Sequence, residues 1–172
     1  MSRTRRVLAI VLFLAALGMT PGSAAAVGPA PGFAPASERQ VLVLENRARA
    51  VADLPAIHSD PGLTRIARWR SADMAARGYF SHAIPPGGAT VFDELTRRHY
   101  CWRAAGENIG WNNMSGAAAS SAIVRQFLAS PRHRAIMLGR AWNAIGVGVA
   151  TAADGRHIWT LVFARTCTSG RS

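Results

Sequence analysis

The chain has 172 residues, of which 49% are hydrophobic and 17% charged: enough apolar material for one packed core, and too little charge for a disordered polyelectrolyte. No stretch reaches the ~18 consecutive apolar residues of a spanning helix, which excludes a polytopic membrane protein. Two cysteines are too few for a disulfide-dense miniprotein or a four-thiolate zinc fold. The formal net charge is +11 and all 20 basic side chains are arginine, so Schiff-base chemistry and a phosphate-loop lysine are excluded. An arginine-only basic set is the mark of GC-rich coding, but the charge it leaves favours anionic surfaces such as wall polymer or acidic lipid. Nucleic acid is not expected as a partner, because no basic stretch is interleaved with stacking aromatics.

Residues 1–26 have the three parts of a secretory signal. Ser2–Arg6 is a positive n-region, Val7–Met19 an apolar run too short for a span, and Gly22–Ala26 a small-residue cleavage site. Cleavage near Ala26 leaves no integral membrane segment and places the protein outside the cell or on its wall. Residues 27–36, rich in Pro, Gly and Ala, read as a linker, 37–168 as the folded domain and 169–172 as a tail.

Ser37-Glu38 reads as a helix start, with Val41, Leu44 and Ala48 on one face and a stop by Pro55. Asp60-Pro61 opens a second helix with Asp as N-cap and Pro at the first position. Its apolar face is Leu63, Ile66, Ala67, Met74 and Ala75, and Gly78 ends it. Pro85–Gly88 is a loop, Thr90–Arg98 a third helix, and Gly106–Trp111 a compact loop. Ala117–Ala129 is a fourth helix and Pro131 opens a short fifth. The period then changes: Ala144–Thr151 and His157–Ala164 are β-rich runs joined through Asp154-Gly155, a hairpin signal. Helices followed by a C-terminal hairpin predict an α+β domain.

Cys101 and Cys167 make an even pair in an exported chain, which favours one bridge over two free thiols. Three short runs could carry chemistry: Gly78–His82, Gly106–Ile109 and Ser130–Arg134. Each lies at the edge of a predicted element, where a polar side chain can face a cleft. No G-x-S-x-G surrounds Ser81 or Ser130, and H-E-x-x-H is absent. Arg49 reads as an anchor of the first helix, and Trp111 as a residue that could line a ligand surface.

Six blocks in order carry a resemblance: Glu45-Asn46-x-x-Arg49, Leu63 with Ala67, Met74 with Gly78–His82, Gly106-Glu107-Asn108-Ile109, Phe127-x-x-Ser130-Pro131-x-His133-Arg134, and Gly146-Val147-Gly148 with Ile158-Trp159-Thr160. Together they resemble a bacterial member of the CAP superfamily, the cysteine-rich secretory, antigen 5 and pathogenesis-related proteins with an SCP domain. The resemblance implies a secreted α-β-α sandwich with a cleft, which in many relatives holds two histidines and two acids able to bind a divalent metal. His82 matches the first histidine and Glu107 the glutamate of the Gly-Glu-Asn motif. Ser130 stands where the second acid would be, and Ile158 where the second histidine would be. The bacterial branch carries a histidine at His133 instead, which is expected to enter the cleft; His157 is a weaker candidate.

Two imidazoles and one carboxylate (His82, Glu107, His133) suffice for zinc with one position open to water. Without metal, the histidine and glutamate are a hydrogen-bonded unit. Asn108, Ser130 and Arg134 are expected to support the cleft. No cofactor is required, and the metal expected if one binds is divalent zinc. The leading functional reading is a secreted binding module for lipid, wall polymer or a protein surface. A metal-dependent hydrolase of peptide or wall material, with Glu107, His82 and His133 as its catalytic groups, is the alternative. A structural wall domain without a ligand is the third.

Overall fold

The computed structural model describes residues 33–167. The expected signal segment 1–26 and tail 169–172 lie outside the described residues. Helix α1 (Phe33–Val51) starts ahead of the expected Ser37, so residues 33–36 of the expected linker have helical backbone. The chain continues through β1 (His58–Ser59), α2 (Pro61–Arg77), α3 (Val91–Arg97), β2 (Trp102–Asn112), α4 (Gly116–Ala129), α5 (Pro131–Met137), β3 (Ala144–Thr151) and β4 (His157–Thr166).

The helix boundaries follow local chemistry. Asp60 accepts the amide of Leu63 at 2.9 Å, with Pro61 in the first turn, and Gly78 closes α2 in the left-handed conformation at φ 67°. Thr90 and Asp93 form a capping box at the start of α3. The four strands make one sheet in the order β1-β3-β4-β2, with β1 parallel to β3 and the other pairs antiparallel. The expected hairpin is β3–β4, turning at Gly155.

Alternation along β4 sets the two layers. Trp159, Leu161 and Phe163 face a cluster with Val41, Ile123, Phe127 and Met137 from α1, α4 and α5. Val162 and Ala164 face Leu63, Ile66, Val91 and Leu95 from α2 and α3. The result is the expected α+β domain, an α-β-α sandwich ending in a hairpin. Helix α2 lies directly on the sheet: a Cβ at Gly146 would sit 2.1 Å from the carbonyl carbon of Leu63, so only glycine fits.

The expected loop at Gly106–Trp111 is corrected: these residues lie inside β2, paired along its length with β4. Their composition hid the strand, because two glycines and two polar residues, Glu107 and Asn108, break the apolar alternation. The glycines answer to packing, since a Cβ at Gly110 would meet Ile123 at 2.6 Å and one at Gly106 would meet Ile136 at 3.0 Å. Cys101 and Cys167 form the expected disulfide across a separation of 66 residues, tying the start of β2 to the end of β4. On the chain-entropy account, closing such a loop contributes about 4 kcal/mol.

Candidate functional site

Strand alternation splits the Gly-Glu-Asn motif. Glu107 pairs with Val162 and points to the α2 layer, while Asn108 pairs with Leu161 and points to the α4–α5 layer. Glu107 is buried. Its Oε2 meets His82 Nδ1 at 2.6 Å, and its Oε1 lies 3.4 Å from Nε of Arg70, a fully buried side chain. This second contact is an ion pair outside hydrogen-bond geometry, since neither Nε nor Oε1 has a hydrogen-bond partner among the described residues. The rest of the Arg70 guanidinium donates to the Tyr79 hydroxyl at 2.7 Å and to the carbonyl of Ser81. The Tyr79 hydroxyl in turn donates to Asp73, which pairs with Arg77 at 3.1 Å. Burial and the bond to Asp73 together raise the Tyr79 phenol's pKa. The loop that carries His82 is therefore hung on Arg70.

On the other side of β2, Asn108 is fully buried and donates to the carbonyl of His133 at 3.0 Å, which ties α5 to the strand. The His133 ring packs on Phe127 with centroids 5.2 Å apart, and its Nδ1 is buried without a hydrogen-bond partner among the described residues. Burial, then the neighbouring His82, lower its pKa and keep it neutral. Ser130 stands at the junction of α4 and α5, its carbonyl accepting from the Arg134 amide at 2.8 Å. Arg134, expected to support the cleft, lines a groove on the opposite layer. His157 lies five ladder pairs along from Glu107's partner, at the hairpin end, where its Nδ1 meets Thr151 Oγ1 at 3.0 Å.

Among the described residues no three His, Cys, Asp or Glu side chains converge. Glu107 and His82 are paired, while His133 is held across the strand by Asn108 and Phe127. More telling is the donor chemistry: the Glu107 carboxylate already faces a buried cation in Arg70, where a divalent ion would have to bring its own charge.

A second feature lies between α1 and α4. An apolar groove of about 560 Å³ is lined by Leu44, Ala48, Val51, Val124, Leu128 and Leu138, with Arg47, Arg125 and Arg134 around it. Val51 is 88% exposed at its edge, although it is a large apolar side chain. None of the three arginines forms an ion pair among the described residues.

Sequence reasoning missed Arg70 and the groove. Arg70 had a signal: it falls on the helical face of Leu63, Ile66, Ala67 and Met74, where a charge must be buried and partnered. Arg49 does anchor its helix, donating to the carbonyls of Pro55 at 2.9 Å, Met137 at 2.9 Å and Gly139 at 3.0 Å. Trp111 is exposed, with the Arg156 guanidinium 5.1 Å over its ring.

A model of the cysteine-rich secretory protein family matches residues 44–163. The chain is similar to the uncharacterized membrane protein YlbC of Bacillus subtilis (strain 168), at 35% identity over 113 residues, covering 66% of this chain and 31% of that protein. It is also similar to the uncharacterized protein YkwD of the same strain, at 31% identity over 134 residues, covering 78% of this chain and 49% of that protein. It thus spans less than half the length of either relative. Among solved structures, an extracellular protein containing an SCP domain from Bacillus anthracis str. Ames superposes with a TM-score of 0.67 at 28% identity, covering 81% of this chain and 45% of that one. No helix among the described residues is long and apolar enough to cross a membrane.

Proposed function

The chain belongs to the cysteine-rich secretory protein (CAP) family, and from that premise we propose that it is an exported binding module that holds an anionic amphiphile, an acyl chain with an acidic head, in the groove between α1 and α4. The groove carries this reading. Its apolar lining suits a hydrocarbon chain, and its volume of about 560 Å³ lies in the usual range for small-ligand sites. Three arginines without acidic partners suit a carboxylate or phosphate head. Export is supported by the disulfide and by the signal-like residues 1–26.

The His82–Glu107 cleft works in this reading as a metal-free polar staple between α2, its following loop and β2. Arg70 supplies the positive charge opposite Glu107.

Calorimetric titration with palmitate tests the proposal. One equivalent of palmitate is expected to bind, with palmitoyl methyl ester about tenfold weaker because it loses the charge-assisted contact. Ala48→Phe, which fills the groove, is expected to abolish binding. Absence of palmitate binding, or binding that survives Ala48→Phe in the folded variant, would overturn it.

A further inference from the structure

At the disulfide end of the sheet, away from both the cleft and the acyl groove, lies a basin of about 460 Å³. Its walls include Arg103 from β2, Arg140 after α5, Arg165 from β4, and Trp142 with Asn143. All three arginines are exposed, no acidic side chain lines the basin, and none of the three forms an ion pair among the described residues.

The backbone explains how two of these charges come together. The β2–β4 ladder pairs Trp102 with Thr166 and Ala104 with Arg165, leaving Arg103 as the extra residue of a β-bulge. A bulge turns two successive side chains of one strand toward one residue of its partner. Arg103 and Arg165 therefore line the same basin, when strict alternation would have sent Arg103 to the other face. Like charges opposed across a ladder are destabilising, so in the free protein this arrangement is a liability. A bound anion reverses its sign.

The surroundings are rigid. The Cys101–Cys167 bridge and the bond from the Cys167 amide to the Cys101 carbonyl at 3.2 Å close the strand ends. Asn143 accepts the Thr166 amide at 2.9 Å and donates to its hydroxyl at 3.0 Å. Trp142 is held by its indole N–H on the Ile136 carbonyl at 2.7 Å.

We propose that this basin binds an anionic glycan, a polysaccharide whose repeating unit carries a carboxylate or a phosphate. Guanidinium forks match either acid in a bidentate way. The indole wall and the recess suit a sugar ring carrying its acidic substituent. A flat membrane does not enter a recess, and a nucleic-acid strand calls for a series of stacking aromatics where the basin has one. The inference stands apart from the acyl-groove proposal, since the two share no residue.

The test is a titration of the protein with oligogalacturonate, which carries carboxylates, and with a phosphomannan oligosaccharide, which carries phosphodiesters. Neutral dextran, a single-stranded DNA oligonucleotide and phosphatidylglycerol vesicles serve as comparisons, all at about 0.15 M salt so that long-range charge is screened. At least one of the two acidic glycans is expected to bind, and the tighter one identifies the acid. The triple variant Arg103→Ala, Arg140→Ala, Arg165→Ala is expected to weaken it by about tenfold or more. The charge-matched triple Arg39→Ala, Arg65→Ala, Arg132→Ala, at exposed arginines elsewhere, is expected to leave it nearly unchanged. Equal losses in the two triples, failure of both acidic glycans to bind, or tighter binding to DNA or vesicles would overturn the proposal. A ligand-free melt gives a second check: Arg103→Ala is expected to raise the melting temperature by relieving repulsion, and a lowered one would remove the liability on which the site is argued.

Discussion

The two layers that flank the sheet handle arginine in opposite ways. In the cleft beneath α2, Arg70 is fully buried and spends its guanidinium on Glu107, Tyr79 and the Ser81 carbonyl. In the groove on the other layer, Arg47, Arg125 and Arg134 surround apolar side chains and form no ion pair among the described residues. A buried charge must be satisfied inside the fold or the fold suffers; an exposed one can wait for a partner. The residues that match the family motif most closely, His82 and Glu107, are thus engaged in holding the protein together. The groove arginines, of which only Arg134 falls in a motif block, form no ion pair among the described residues.

The largest effect that would break this contrast is at Arg70. Arg70→Met leaves Glu107 buried without its cation and is expected to destabilise the protein by about 3–5 kcal/mol in denaturant unfolding. Adding Glu107→Gln should restore much of that loss, because the stranded charge is gone; a single variant as stable as the parent would mean that the cleft does not hold the fold.

Next is Glu45, buried in α1 with both oxygens lacking a hydrogen-bond partner among the described residues. Burial, opposed by the Arg49 charge, pushes its carboxyl up from an ordinary 4.5 to about 8. The folded state therefore keeps a proton that the unfolded chain gives up. Stability from this group is present below about pH 4.5 and is lost as pH rises toward about 8, by a few kcal/mol. Glu45→Gln should flatten that decline in unfolding free energy across the same pH window.

A smaller effect is expected for the groove itself. Arg125→Ala with Arg134→Ala should weaken palmitate by about tenfold and leave the unfolding midpoint in place. A shifted midpoint with unchanged affinity would reverse the assignment of roles between the two layers. Smallest is His82→Ala, expected to cost less than about 1 kcal/mol because the imidazole is 56% exposed. Zinc should give no saturable heat with either protein; one equivalent bound by the parent and lost in His82→Ala would restore the cleft as a metal centre.

Helix ends were legible in the sequence because their signals are local. Asp60-Pro61, Gly78, the Thr90–Asp93 box and Asp154-Gly155 each act within a few residues. Strand β2 was not, because its glycines are dictated by Ile123, Phe127 and Ile136, which arrive from elsewhere in the chain. The pairing of His82 with Glu107 followed from the motif order, whereas the bond from Asn108 to the His133 carbonyl depends on the side of β2 to which α5 packs. The α1–α4 groove and the arginine basin join distant segments, and no single stretch announces either one.

The bulge at Arg103 also divides β2 into two stretches with opposite in–out rules. Downstream, the odd positions Ala105 and Glu107 turn toward α2; upstream, it is the even position Trp102 that packs with Phe92 on that same layer, at 6.3 Å between ring centroids. Arg103 is thus a phase joint. Removing this one residue would join Trp102 directly to Ala104, opposite Thr166 and Arg165 in unbroken succession, so that Trp102 would keep to the Phe92 side and Cys101 would stay beside Cys167. For anyone trimming or grafting the domain, a deletion at this position takes Arg103 out of the basin while leaving both stretches of β2 in register with β4.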